Sequence, residues 1–318
     1  MKIDIEFKPI NSSYVDEAVN MIIVAYAKER ISIPYLPDSD FYKSIYDSIN
    51  CLFRDGSGVV AIHDNRLVGF LAGFVVSEFF SSYSGIYCPI FGHGAIGEER
   101  MEIYQSLYEQ VADLWVKNSH VTHAITMFSH DQDLVKLWCW QGFGLRCIDA
   151  IRKTSILTFK EAPIQIKKVI LDDVPTLANI YTQQKNYYRK SPIFMIKDTE
   201  DMREHYNWIV KENHHEWIAC KNDIPVGIIR IAPTAETFIA AHPSIMNITR
   251  AYVVENERGK GIGTMLLNTV QEWLIQNEYP LCGVDFESIN PSGRSFWMKY
   301  FLPYTYSLVR KIDERFLR

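Results

Sequence analysis

One stretch limits what this chain can fold into more than any other: Arg250 to Gln276, RAYVVENERGKGIGTMLLNTVQEWLIQ. A β-prone run covers Ile248 to Val254, and a polar turn follows from Glu255 to Glu257. Then comes Arg258-Gly259-Lys260-Gly261-Ile262-Gly263. From Ile262 onward, Met265, Leu266, Val270, Trp273 and Leu274 recur at helical spacing. The order is strand, glycine loop, amphipathic helix.

That order has chemical content. The first N–H groups of a helix have no internal partner, and the helix dipole places partial positive charge there. Glycines remove the Cβ atoms that would keep an anion away. The result is a backbone cradle for phosphate. A Walker loop needs Gly-x-x-x-x-Gly-Lys-Ser/Thr, and the dinucleotide fingerprint needs Gly-x-Gly-x-x-Gly. Gly259, Gly261 and Gly263 are spaced two apart and fit neither. A plain strand-to-helix turn needs one glycine, not three flanked by Arg258 and Lys260.

The rest of the chain reads as two copies of one plan. In the first half, strand patterns cover 3–7, 59–62, 67–76, 86–91, 122–128 and 144–153. Helical patterns cover 15–27, 40–49, 98–117 and 134–140. The second half repeats them: strands at 164–169, 216–220, 225–231, 246–254, 282–287 and 304–311, helices from Asp172, at 199–211 and at 292–300. Ala61 and Gly69 match Ala219 and Gly227, and Leu137-Trp138 match Phe296-Trp297, at an offset of half the chain. A period this long means duplicated domains, 1–158 and 164–318, joined by a linker at 159–163. In the first half the place of the glycine loop is taken by Phe91-Gly92-His93-Gly94-Ala95-Ile96-Gly97. No arginine precedes it, and Glu98 and Glu99 follow, so like charge would repel a phosphate. This half reads as a degenerate copy in which Gly94 tolerates aspartate.

Bulk properties exclude several classes. Apolar residues make up 47% and charged residues 22% of the 318, as in ordinary globular proteins. The net charge of −5 lies in residues 1–160, while 161–318 is balanced. No basic stripe suits a nucleic acid. Met1-Lys2-Ile3-Asp4 is no secretory signal, and the stretch 79–97, interrupted by Pro89 and several glycines, is a poor membrane span. Cysteines 51, 88, 139, 147, 220 and 282 show no paired spacing, which suits reduced thiols in a cytoplasmic protein. His120, His123 and His130 lack a cysteine or carboxylate at ligand spacing, so no metal site is expected.

Arg258-x-x-Gly261-x-Gly263, with a hydrophobic strand before it and Ile-Gly-Thr-Met-Leu-Leu after it, resembles the pyrophosphate loop of the GNAT acetyltransferase superfamily. The whole layout is similar to tandem GNAT proteins of the mycothiol synthase group. The resemblance implies an α/β (α+β) fold of two tandem GNAT-like domains, each a mixed, mostly antiparallel twisted sheet flanked by helices. It implies acetyl-CoA as acyl donor, with the pantetheine arm between two splayed strands, 246–254 and 282–287. By that match Tyr252, Val253 and Val254 hold the arm, and a Val253 or Val254 N–H polarises the thioester carbonyl. Arg258, Gly259, Lys260, Gly261, Ile262, Gly263 and Thr264 hold the pyrophosphate. Asn290, Ser292, Phe296 and Trp297 line the CoA tail.

The implied reaction is direct acyl transfer to a small-molecule or peptide amine in a ternary complex, by a monomer or homodimer. An amine must lose a proton to attack, and the departing thiolate needs one. Here the chain departs from the family pattern. Thr249 stands where the family often has a glutamate, and Trp297 stands at its acid tyrosine. Asp285 and Glu287, alternating on one strand face, are candidate bases, and Tyr300 and Tyr304 candidate acids. Tyr187, Tyr188, Trp208 and Trp217 lie where the family covers its acceptor. Two other readings compete. The missing glutamate and tyrosine favour a non-catalytic acyl-CoA sensor. A Fem-type aminoacyl-tRNA-dependent transferase also joins two such domains, but it lacks this loop and needs a basic surface.

Overall fold

The computed structural model describes residues 4–159, 162–196, 202–211, 214–234 and 236–317. The middle of the expected linker, at 160–161, and the expected helix start at Thr199 lie outside them. The chain divides into two compact units, 1–149 with 303–318, and 150–302.

In the first unit the elements run β1 (Glu6–Pro9), α1 (Val15–Ser32), α2 (Tyr42–Asp55), β2 (Ser57–His63), β3 (Arg66–Val76), β4 (Gly85–Cys88), β5 (His93–Ala95), α3 (Arg100–Lys117), β6 (Thr122–Phe128), α4 (Gln132–Trp140) and β7 (Gly144–Lys153). The second unit takes over at Ala150. It holds β8 (Gln165–Lys168), a 3-10 turn at Leu171–Leu177, α5 (Ala178–Arg189), α6 (Met202–Ile209), β9 (His215–Lys221), β10 (Ile224–Ala232), β11 (Ile245–Val253), α7 (Ile262–Gln276), β12 (Leu281–Glu287) and α8 (Pro291–Tyr300). The last strand, β13 (Leu302–Lys311), ladders antiparallel with β6 from Thr305↔Phe128 to Lys311↔Thr122.

This division differs from the expected boundaries of 158 and 164. Residues 154–157 run along α7 rather than ending the first unit. Thr154 N–H donates to Pro280 O (2.9 Å), Ser155 N–H to Gln271 Oε1 (3.3 Å) and Leu157 N–H to Asn268 Oδ1 (2.8 Å). Gln271 and Asn268 are buried on α7, so these bonds give their side-chain oxygens partners inside the unit. At the other end β13 belongs to the first unit because its backbone completes the ladder of β6.

The repeat seen in the sequence is a repeat of packing. Ala61 pairs with Gly69 across β2 and β3, and Ala219 with Gly227 across β9 and β10. A Cβ on Gly69 would lie 2.7 Å from Ile103 and 3.1 Å from Leu107 of α3. A Cβ on Gly227 would lie 2.9 Å from Leu266 and 3.2 Å from Ile262 of α7. Each glycine lets the long helix of its unit settle on the sheet. Each unit also contains one parallel ladder, β4 with β6 and β11 with β12, amid antiparallel ones.

The first unit's glycine loop is not a cradle. His93–Ala95 is the strand β5, paired with β3, and a Cβ on Gly94 would meet Phe70 at 2.9 Å and Met21 at 3.1 Å. A Cβ on Gly92 would meet Ala72 O at 2.6 Å. These glycines serve close packing, and the expectation that Gly94 tolerates aspartate is corrected on that ground. The histidines of this half are structural. His93 is buried between Thr126 O (2.9 Å) and Tyr104 OH (3.1 Å). His123 is buried between His120 O (3.0 Å) and Tyr108 OH (2.9 Å). His130 is paired with the fully buried Glu29. Among the described residues there is no group of three metal-capable side chains, and no helix is long and apolar enough to cross a membrane. All six cysteines are free.

Burial holds His93 and His123 neutral and pulls each down to about 4. In the unfolded chain a histidine titrates near 6.5. Between about pH 6.5 and 4 the unfolded chain therefore binds protons that the folded chain does not. Stability is full above that window and falls as pH drops through it. The melting temperature should decline from pH 7 to pH 5, and less steeply in the His93→Gln and His123→Gln variants. An equally steep decline in both variants would refute this account.

Candidate active site

Along β11 the ladder to β12 has four pairs, Ile245↔Leu281 to Ile248↔Val284. Beyond them the two strands no longer pair in register, and a cavity of about 410 Å³ is lined by Ala251, Tyr252 and Val253 of β11. Pairing with β10 decides which backbone groups face this opening. Val254 N–H donates to Val226 O (3.0 Å), so it is spent within the sheet. Alternation then turns the Val253 and Ala251 groups the other way. Val253 O accepts from Arg258 Nε (2.9 Å) and Ala251 O from Gln184 Nε2 (3.4 Å). Of the two expected N–H donors, Val254 is used within the sheet, while the Val253 N–H, like that of Ala251, faces away from β10.

Arg258, Gly259, Gly261, Ile262, Gly263 and Thr264 line the same cavity. Gly259 and Gly261 have φ of 74° and 87°, the left-handed region that side chains disfavour. Gly263 is there for a different reason: a Cβ would sit 3.3 Å from the Phe296 ring of α8. The first bond inside α7 runs from Met265 N–H to Gly261 O (3.0 Å). The N–H groups of Ile262, Gly263 and Thr264 thus precede the helical ladder and carry the positive end of the dipole. Arg258 lines the cavity beside them and adds a full positive charge. Lys260 does not join them. Its ammonium turns back to Asn256 O (2.8 Å) and Glu257 (3.0 Å). Glu257 lines the cavity, and Lys221 and Lys260 hold its carboxyl below the usual range.

Asn290, Ser292, Phe296 and Trp297 line the cavity as well, with Gly293 and Lys299. Asn290 caps α8 through Gly293 N–H (3.1 Å). Trp297 is buried against Phe296 and Phe301, with ring centroids at 4.8 and 5.5 Å.

The four candidate acids and bases do not line this cavity. Tyr300 OH meets Thr264 Oγ1 (3.0 Å) in the first turn of α7. Tyr304 is 2% exposed on β13, in the first unit. Asp285 and Glu287 sit on β12 past its last pair with β11. Their charge reaches Tyr188, which does line the cavity. Burial, with Glu287 and Asp285 nearby, pushes the Tyr188 hydroxyl up to about 12. Tyr188 and its neighbour Tyr187 come from α5. The sequence marked them only as aromatics over an acceptor, because nothing local shows which strand a helix packs on.

Residues 177–299, all within the second unit, match a family model described as the acetyltransferase (GNAT) family. No curated protein sequence matches the chain. Its fold is similar to a GCN5-related N-acetyltransferase from Sphaerobacter thermophilus, at 11% identity, TM-score 0.62, over 97% of this chain and 96% of that one. It is also similar to a tandem GNAT protein from the clavulanic acid biosynthesis pathway, at 13% identity, TM-score 0.50, over 97% and 98%. A third similar fold is a GCN5-related glucosamine N-acetyltransferase region of a fungal multi-domain GH3 β-N-acetylglucosaminidase, at 11% identity and TM-score 0.57. This chain covers 38% of that protein and aligns over 97% of its own length. The glycine-bearing loop, the splayed strands and the matched segment 177–299 identify the chain as carrying an acetyltransferase domain of the GNAT superfamily.

Proposed function

We propose that the second unit transfers an acetyl group from acetyl-CoA to a small-molecule or peptide amine by direct attack in a ternary complex. The observation that carries this reading is one continuous cavity. It brings together a helix N-terminus with Arg258 and the backbone of Val253 and Ala251 on the side of β11 turned away from β10. A diphosphate fits the first and an amide-bearing arm the second, and the donor carries both groups.

In this reading the amine nitrogen bonds to the thioester carbonyl carbon, the carbon–sulfur bond breaks, the amine's proton goes to a base, and the thiolate takes a proton. The Val253 N–H is placed to donate to the carbonyl oxygen as charge builds there. Asp285 and Glu287 serve as the base beside the open end of β12. Tyr188 supplies the proton to sulfur: it lines the cavity and, like any tyrosine, carries its proton at neutral pH, while the raised pKa makes it a weaker donor that gives up the proton only to a strongly basic thiolate. Tyr300 and Tyr304 fit that role less well, since one hydroxyl is bonded to Thr264 and the other residue is buried.

Thiol release from acetyl-CoA over a panel of amines tests the whole reading. Release stimulated by an amine is expected. Tight CoA binding with no release over the panel would favour the sensor. Tyr188→Phe should lower turnover on the order of 100-fold with little change in CoA affinity. Unchanged turnover in that variant would remove Tyr188 from the chemistry.

A further inference from the structure

One helix meets the donor cavity in a way that the reaction itself does not require. α5 lies beside β11 and touches it and the loop beyond through Gln184, Tyr187 and Lys190, three residues spaced by three. Gln184 bonds Ala251 O, and Lys190 Nζ pairs with Glu255 (3.0 Å) in the turn before the glycine loop. Tyr187 is the middle contact. Its ring centroid lies 4.1 Å from the Arg258 guanidinium carbon, and its hydroxyl donates to Asn290 Oδ1 (2.7 Å).

These two contacts act on the two side chains that the donor needs most. Arg258 is gripped on one side by the Tyr187 ring and on the other by Val253 O. An arginine held this way has already lost the rotamer freedom that anion binding would otherwise cost. Asn290 Oδ1 accepts from both Tyr187 OH and Gly293 N–H. With its oxygen taken twice, what the amide still offers a further partner is its NH2 group. A carbonyl-bearing arm is the chemistry that this donor suits.

We infer that Tyr187 is a positioning residue for the acyl donor, holding Arg258 for the diphosphate and turning the Asn290 amide towards the carbonyl oxygens of the arm. The inference rests on the donor reading above. It adds a link to α5, the helix that also carries Tyr188, so that the donor seat and one wall of the cavity are built on the same helix.

The test is CoA binding by calorimetry in two mutant cycles. Tyr187→Ala should weaken CoA about 10-fold in the otherwise native chain. In an Arg258→Ala background the same change should cost less than about 2-fold, because the group that Tyr187 positions is gone. Tyr187→Phe, which keeps the ring and the packing, should cost about 3-fold. In an Asn290→Ser background, where the helix cap survives without the amide, that loss should vanish. Losses that multiply in both backgrounds would overturn the inference and leave the donor reading standing. No CoA binding by the unsubstituted chain would overturn the donor reading itself, and the inference with it.

Discussion

Gly261→Asp should weaken acetyl-CoA binding by at least about 100-fold and abolish turnover. The backbone is the smaller reason. Gly261 has φ of 87° and ψ of −7°, a strained place for a side chain that aspartate tolerates better than most. The larger reason is charge. A carboxylate at the cap of α7 would stand where the N–H groups of residues 262–264 and Arg258 are gathered for a diphosphate. It would occupy the seat itself, since an anion there is stabilised by the helix dipole. Gly261→Asn has the same shape without the charge and should lose about 10-fold. Equal losses in both variants would show that bulk, not charge, is excluded.

The matching control lies in the first unit at Gly97. It has φ of 90°, and a Cβ there meets nothing within 4 Å. Gly97→Asp should leave donor binding and turnover near the native values if only the second unit holds a donor. Gly94→Asp is unsuitable, because it would drive a carboxylate into Phe70 and Met21. Loss of turnover in a folded Gly97→Asp chain would mean that the first unit takes part.

Glu216→Ala should destabilise the second unit by about 3–5 kcal/mol. Glu216 is fully buried on β9 and is the anion of a network spanning two helices and two strands. Tyr181 OH of α5 donates to it (2.8 Å), and His205 Nε2 of α6 lies at 3.1 Å. Arg230 Nε of β10 lies at 3.6 Å, and Arg230 Nη2 donates to His205 Nδ1 (2.7 Å) and Tyr181 OH (3.1 Å). The Arg230 guanidinium also lies over Trp208, 4.0 Å from the ring centroid. Removing the carboxylate takes a buried negative charge from 3.6 Å of a guanidinium that is 5% exposed. Glu216→Leu with Arg230→Met removes both charges and should recover most of the loss. Urea unfolding midpoints decide it. A double variant no more stable than Glu216→Ala would mean that packing, not charge, sets the cost. Because the network pins α5 and α6 to the sheet, Glu216→Ala should also raise the KM for the donor.

The sequence by itself determined what depends on neighbours along the chain. Hydrophobic period and glycine spacing are local, so the loop from Arg258 to Gly263, its strand and its helix were legible. The repeat was legible because Ala61, Gly69, Ala219 and Gly227 answer the same packing demand twice. Only the tertiary structure decided the rest. Whether Val253 or Val254 faces the cavity depends on which strand pairs with β11, and Val226 takes the Val254 N–H. Gly94 reads as a loop glycine until β3 is seen beside it. The unit boundaries moved because β13 completes the ladder of β6, while 154–157 find their hydrogen-bond partners on α7 and beside β12. Tyr187 acquires a role only when a helix some 70 residues earlier in the chain lies against Arg258. Each of these turns on a contact between residues far apart in sequence, whose side chains and amides must be paired once water is excluded. No local pattern encodes which distant group supplies that pairing.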